Sequence, residues 1–254
     1  MKLPLENKLA LVTGASRGIG AAIAVRLAKE GASVIVNYSS SKARAEEVVE
    51  EIKKANGQAE AVGANLYTRD GVKTLIASID KAFGGKFGGR LDILVNNAGM
   101  VEFGPFLEAN EESFEKHFDL NVRAVLTLTQ DAGKRMVKSG WGRIINIGAG
   151  FGEATPLPGV VLYCVTKFAV RGFTRALSRE LGPTGVTVNN IQPGPIDTEL
   201  NPADGPYGEV MKKITSVGHF GKSEDIAAAA AFLANPENSF INGESLSVDG
   251  GWNA

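Results

Sequence analysis

The sequence predicts a doubly wound α/β fold, a Rossmann-type seven-stranded parallel sheet between two helix layers, and three observations predict it. Short apolar runs recur at 9–13, 33–37, 59–64, 91–95, 143–147, 186–191 and 244–248. The stretches between them carry helical periodicity, so strands and helices alternate along the chain. The runs are mostly continuous rather than alternating in polarity, which suits strands covered on both faces and therefore parallel.

Each element follows from local pattern. The first run leads into a glycine-rich segment and then AAIAVRLAKEGA, an apolar helix that stops near Gly31. Residues 41–55 begin with serine and place Val48, Val49 and Ile52 in a narrow stripe among charges, as a surface helix does. The span 163–181 predicts a long helix, and the Gly/Pro clusters at 182–185 and 202–208 predict loops. No linker, repeat or shift in composition divides the 254 residues, so 1–254 is expected to be a single domain. A net charge of -1 without a dense Lys/Arg run lacks the electrostatic footprint of a nucleic-acid or anionic-membrane binder, leaving small molecules as the expected ligands. One cysteine, Cys164, forms no internal disulfide, and the opening MKLPLENKLALVTG has no signal-peptide pattern, so a cytoplasmic location is expected. The longest apolar helical run, 226–234, falls far short of the roughly 20 residues that span a bilayer.

The chemistry begins in the first loop. Gly14, Ser16, Arg17, Gly18, Ile19 and Gly20 lie between a strand and a helix, where missing side chains let a pyrophosphate approach amide N–H groups at the helix's positive end. The spacing is G-x-x-x-G-x-G rather than G-x-G-x-x-G. The same residues fit G-x-S-x-G, the nucleophile elbow of hydrolases, with His219 downstream. An elbow needs an oxyanion loop from an earlier strand, however, and only about a dozen residues precede Ser16. The two histidines, His117 and His219, sit without Cys, Asp or Glu at ligand spacing, so no metal site is expected.

These residues are joined in order by Asn96-Asn97-Ala98-Gly99, Asn121, Tyr163-Cys164-Val165-Thr166-Lys167, Pro193-Gly194 and Val248-Asp249-Gly250-Gly251. With them the chain resembles the short-chain dehydrogenases/reductases almost end to end, and in layout the bacterial 3-oxoacyl-carrier-protein reductases. The resemblance implies hydride transfer between a nicotinamide and a carbonyl carbon, with Tyr163 as proton donor or acceptor. It implies that Lys167 holds the nicotinamide ribose, that Asn121 carries a relay water, and that Asn97, Ala98 and Gly99 flank the cofactor. Pro193, Gly194, Ile196 and Thr198 are then the carboxamide loop, Asn65 and Leu66 the adenine contacts, and the assembly a homotetramer. A free tyrosine titrates near pH 10, and one cation at about 4 Å contributes on the order of 4 kcal/mol at intermediate dielectric, so Lys167 is expected to lower the phenol's pKa.

One member of the family's set is missing. The serine expected after the fifth strand is replaced within Gly148-Ala149-Gly150-Phe151-Gly152; counting back from Tyr163 points to Gly150, whereas the strand-end motif points to Ala149. We assign the position to Ala149. Loss of such an oxyanion donor costs roughly a hundred- to a thousandfold in rate. An introduced substitution, a natural enzyme with another donor such as Thr155, and a nucleotide-binding protein with little turnover are the three explanations, in that order. Cofactor choice is read from the second strand's end, where Asn37, Tyr38 and Ser39 stand in place of the acid that binds an unphosphorylated ribose; with Arg17, this favours NADP(H) over NAD(H). The segment 199–220 is expected to form a substrate lid, with Leu200, Tyr207, Met211 and Phe220 as an apolar wall.

Overall fold

The seven apolar runs become one sheet. In the computed structural model, which describes residues 3–155 and 157–254, the strands are β1 (Leu9–Val12), β2 (Ser33–Tyr38), β3 (Gln58–Gly63), β4 (Ile93–Asn96), β5 (Gly142–Ile147), β6 (Val186–Pro193) and β7 (Ser245–Val248). They lie in the order β3-β2-β1-β4-β5-β6-β7, every neighbour pair parallel. Five strands are buried almost throughout, whereas β3 and β7, each with one neighbour, are partly exposed. The expectation of continuous burial therefore fails at the two edges, where a strand has a neighbour on one side only.

Helices α1 (Gly18–Lys29), α2 (Lys42–Lys54) and α8 (Ser223–Ala234) cover one face; α3 (Arg69–Lys81), α5 (Val125–Ser139) and α6 (Val161–Leu181) cover the other. Pleating sorts the strand residues between the layers: Ala10 and Val12 of β1 join the first core, Leu9 and Leu11 the second. The narrow stripe of α2 is buried as read, with Ala45 added to Val48, Val49 and Ile52. Between β4 and α5 the chain forms the short α4 (Glu111–Phe118) and a π-helical segment, Asp119–Ala124; α7 (Gly208–Ile214) lies within the long excursion after β6. The order reverses between β1 and β4, so the connections leaving their carboxyl ends diverge and open a crevice there, the position at which open parallel sheets bind ligands.

Candidate active site

A cleft of about 500 Å³ opens at that crevice, lined by the glycine loop, the ends of β2, β4, β5 and β6, the start of α6 and the residues after β7. Gly14 and Gly18 have φ of +61° and +54°, a region unfavourable to side chains. Gly20 is needed for space: a Cβ there would stand 2.5 Å from Asn97 Nδ2 and from the Gly14 carbonyl oxygen. No side chain caps α1 and no acid sits in its first turn, so its leading N–H groups face the cleft unclaimed. Glycines without side chains and free helix amides make a cradle whose chemistry fits a dinucleotide pyrophosphate, and Arg17 also lines the cleft. Asn97 supports the cradle from below, donating to the carbonyls of Thr13 and Gly14 at 2.9 and 3.1 Å.

Asn37 has a different role from the one its position suggests. Its Oδ1 accepts from Gly14 N at 3.2 Å, and its Nδ2 faces the carbonyls of Tyr38, Val62 and Ala64 at 3.2–3.3 Å. The amide is committed to the backbone, so it shapes the loop and leaves recognition to Ser39, Ser40 and Ser41, which also line the cleft. Two expected contacts are not brought there. Tyr38 points to the other side of β2, over Gly63, and Asn65 is an exposed turn residue whose Oδ1 accepts from Tyr67 N at 3.1 Å ahead of α3; neither lines the cleft, though Leu66 does. Strand alternation sends Tyr38 away, and the turn closed by Tyr67 N on Asn65 Oδ1 holds the Asn65 side chain.

Tyr163 and Lys167, one turn apart on α6, face the cleft together, with the lysine nitrogen 5.5 Å from the phenol ring centroid. Lys167 is buried, donates to the Ile147 carbonyl at 2.9 Å and is pushed down to about 8 by burial. Burial also pushes the Tyr163 phenol well above its ordinary value, followed by the nearby Cys164 thiol. This reverses the expected direction for the protein alone: desolvation of the phenolate outweighs the attraction of an ammonium at this distance. Asn121 lies just behind the cleft wall. It accepts from Met100 N at 2.9 Å and donates to Met100 O and Thr166 Oγ1, while Thr166 donates to Tyr163 O. The π-helical turn holds it there; such turns concentrate at functional sites.

Ala149 lines the cleft with only a methyl group, in extended backbone at the end of β5. Thr155, the alternative donor weighed from sequence, is directed elsewhere: its hydroxyl donates to Cys164 Sγ at 3.4 Å and it does not line the cleft. Pro193, Gly194, Ile196 and Thr198 do line it. A Cβ on Gly194 would lie 2.6 Å from Asp249 Cα, so the two late glycine-bearing motifs are pressed together. Of the expected apolar wall, Leu200 and Met211 are present; Phe220 is buried behind Met211, and Tyr207 stacks on Phe103 at 5.4 Å, tying the lid to the loop after β4. Phe151 and Trp252, missed in the sequence, complete the wall, with Phe151 edge-on to both Tyr163 and Trp252. Ser40 and Ser41 were visible as a serine run, whereas nothing local marks Trp252.

The family model described as short chain dehydrogenase matches residues 8–206. The chain belongs to the short-chain dehydrogenases. It is 40% identical over 96% of its length to 98% of the 3-oxoacyl-acyl-carrier-protein reductase FabG of Staphylococcus aureus. It is 37% identical, over 98% of both chains, to the cyclic-di-GMP-binding biofilm dispersal mediator protein of Escherichia coli. Among solved structures, a short-chain dehydrogenase from Burkholderia cenocepacia in complex with NADP is 40% identical and superposes with a TM-score of 0.92 over 99% of this chain and all of that one. A short-chain dehydrogenase is an NAD(P)-dependent oxidoreductase, and in this chain the glycine cradle, Tyr163 and Lys167 line one cleft. Among the described residues no helix is long and apolar enough to cross a membrane, and no group of His, Cys, Asp or Glu is arranged to hold a metal ion.

Proposed function

We propose that this short-chain dehydrogenase is a cytoplasmic NADPH-dependent reductase of ketones or aldehydes, acting reversibly on the corresponding alcohols through a one-domain, homotetrameric protein. The observation that carries the reading is the juxtaposition, in one cleft, of the glycine cradle with Tyr163 and Lys167. The bound dinucleotide supplies the hydride that adds to the carbonyl carbon. Tyr163 gives a proton to the carbonyl oxygen; its raised pKa keeps it protonated and able to donate at neutral pH. Lys167, held by the Ile147 carbonyl, places a positive charge beside the phenolate left behind and binds ribose hydroxyls. Asn121 anchors the wall at Met100 and Thr166, and the family resemblance gives it the relay water. The walls of Leu200, Met211, Phe151 and Trp252 suit a substrate of modest polarity. NADP(H) is favoured by Arg17, by the serines after β2 in place of an acid, and by the NADP complex of the similar Burkholderia protein.

Ala149 leaves the substrate oxygen without the second hydroxyl donor, so turnover is expected to be slow. The same observation favours a second reading, a nucleotide-binding protein with little catalysis, and one relative is named for binding a nucleotide. NADPH oxidation at 340 nm with a panel of ketones separates the two. The reductase reading predicts activity that rises on the order of a hundredfold in Ala149→Ser; NADPH binding by both proteins without oxidation by either would favour the binding role.

A further inference from the structure

Glu199 directly follows Thr198 in the loop after β6 and lines the mouth of the cleft beside Arg17 and Ser39. Both of its carboxylate oxygens accept from Arg44 Nη1, at 2.5 and 2.7 Å, and Oε2 lies 3.8 Å from Arg17 Nη1. Three separate segments thus converge: the glycine loop, α2 and the start of the lid. The Arg44 guanidinium beside Glu199 holds its carboxyl below the usual carboxylate range, so the group is an anion at neutral pH. The site has two guanidinium groups facing one carboxylate, with the neutral hydroxyls of the serine run alongside. All three charged side chains are about half exposed, at 46–58%, and an exposed ion pair of this kind is held weakly and exchanges readily for a better anion. A phosphate monoester carries nearly two charges and three acceptor oxygens, enough to engage both arginines.

We infer that Glu199 is an internal stand-in for the cofactor's 2′-phosphate. In the free protein it neutralises Arg17 and Arg44; an arriving 2′-phosphate takes both arginines, and Glu199 leaves with the first part of the lid. Arg44, which no motif singles out, is thereby a specificity-determining residue, and Glu199 sets how strongly phosphate is preferred over a bare hydroxyl. A nucleotide without the 2′-phosphate offers the arginines no replacement anion, so the Glu199 pairing persists when it binds. The inference rests on the NADP(H) reading above and makes one contact serve both cofactor recognition and lid position.

Calorimetric titration of the full chain with 2′,5′-ADP and 5′-AMP at fixed ionic strength tests it. Removing the competitor in Glu199→Gln is expected to raise the affinity ratio of 2′,5′-ADP to 5′-AMP about tenfold, and Arg44→Ala to lower it by a similar factor, as loss of a charge-assisted contact does. Hydrogen exchange supplies a second readout: 2′,5′-ADP is expected to speed exchange at 199–207 in the unaltered protein, 5′-AMP is not, and Glu199→Gln is fast without either. If the unaltered protein prefers 2′,5′-ADP but Glu199→Gln leaves the ratio where it was, the stand-in is overturned while NADP(H) preference survives. An unchanged ratio in Arg44→Ala overturns the role of Arg44. If all three proteins bind both nucleotides equally, the NADP(H) reading itself falls, and the inference with it.

Discussion

At the scale of single residues, Tyr163 and Lys167 are both held away from their ordinary titration, and each yields a measurable consequence. Tyr163→Phe keeps the ring that packs edge-on to Phe151 and deletes only the hydroxyl. Ketone reduction is expected to fall about a hundred- to ten-thousandfold, the usual worth of a positioned acid, with the NADPH dissociation constant changed little. For Lys167 the folded value of about 8 lies below the ordinary 10.5, so between these limits the unfolded chain binds more protons than the folded one. Stability therefore rises with pH through that window, while below about 8 both states are charged and the full cost of burying the ammonium is present. Urea melts at pH 7 and pH 9.5 are expected to show a gain on raising the pH that shrinks in Lys167→Met. Some gain remains, because burial also lowers Lys8. Equal gains in the two proteins would contradict the buried, depressed lysine.

At the scale of elements, the β1 to α1 connection is the part whose geometry tolerates least. Gly20→Ala places a methyl group against Asn97 Nδ2, which also braces the loop, so the two strands' ends must part. Overpacking of this kind costs about 1–3 kcal/mol, and NADPH binding is expected to be lost beyond that stability change. Thermal melting with and without NADPH reads both; a variant that melts lower yet retains the ligand-induced shift would show that the cradle survives. Elements were also where the sequence was most legible. Apolar runs located all seven strands to within two residues; in the five inner strands burial on both faces leaves little choice of side chain, whereas β3 and β7 are partly exposed. Of the candidate site, the backbone-determined parts were readable: glycines at positive φ, the one-turn spacing of Tyr163 and Lys167, and the Pro193-Gly194 loop at the cleft. What was not legible depends on where side chains meet at long range. The outward turns of Tyr38 and Asn65, the backbone commitment of Asn37, and the arrival of Arg44 and Trp252 are set by packing between segments distant in sequence, which no local pattern encodes. In the protein alone the phenol's pKa departs from the expected direction for a related reason, since desolvation is a property of the assembled wall.

At the scale of the whole molecule, the proposed tetramer needs apolar surface outside either core. Leu126 and Val137 on α5 and Val161, Val165 and Phe168 on α6 are 40–48% exposed, although most of the protein's other aliphatic residues are buried. Exposed apolar side chains on two helices of one layer are the surface that the proposed tetramer would bury. Light scattering after size exclusion is expected to give four times the chain mass of 26.7 kDa, and Phe168→Glu, which puts a charge on α6 without touching either core, to give a smaller species. A monomer in both would dismiss the tetramer.

The strand order carries a consequence for biosynthesis. Strands β1, β2 and β3 occupy one side of the sheet in consecutive steps, so during synthesis residues up to 63 can pair among themselves before the rest of the sheet is made. The next strand must travel back across the growing edge to dock against β1, burying the flank that translation had left open. Until residues 93–96 arrive, the nascent half presents the unpaired backbone groups of Ala10, Leu11 and Val12 to water along an open edge, and this interval is when a chaperone has most to protect.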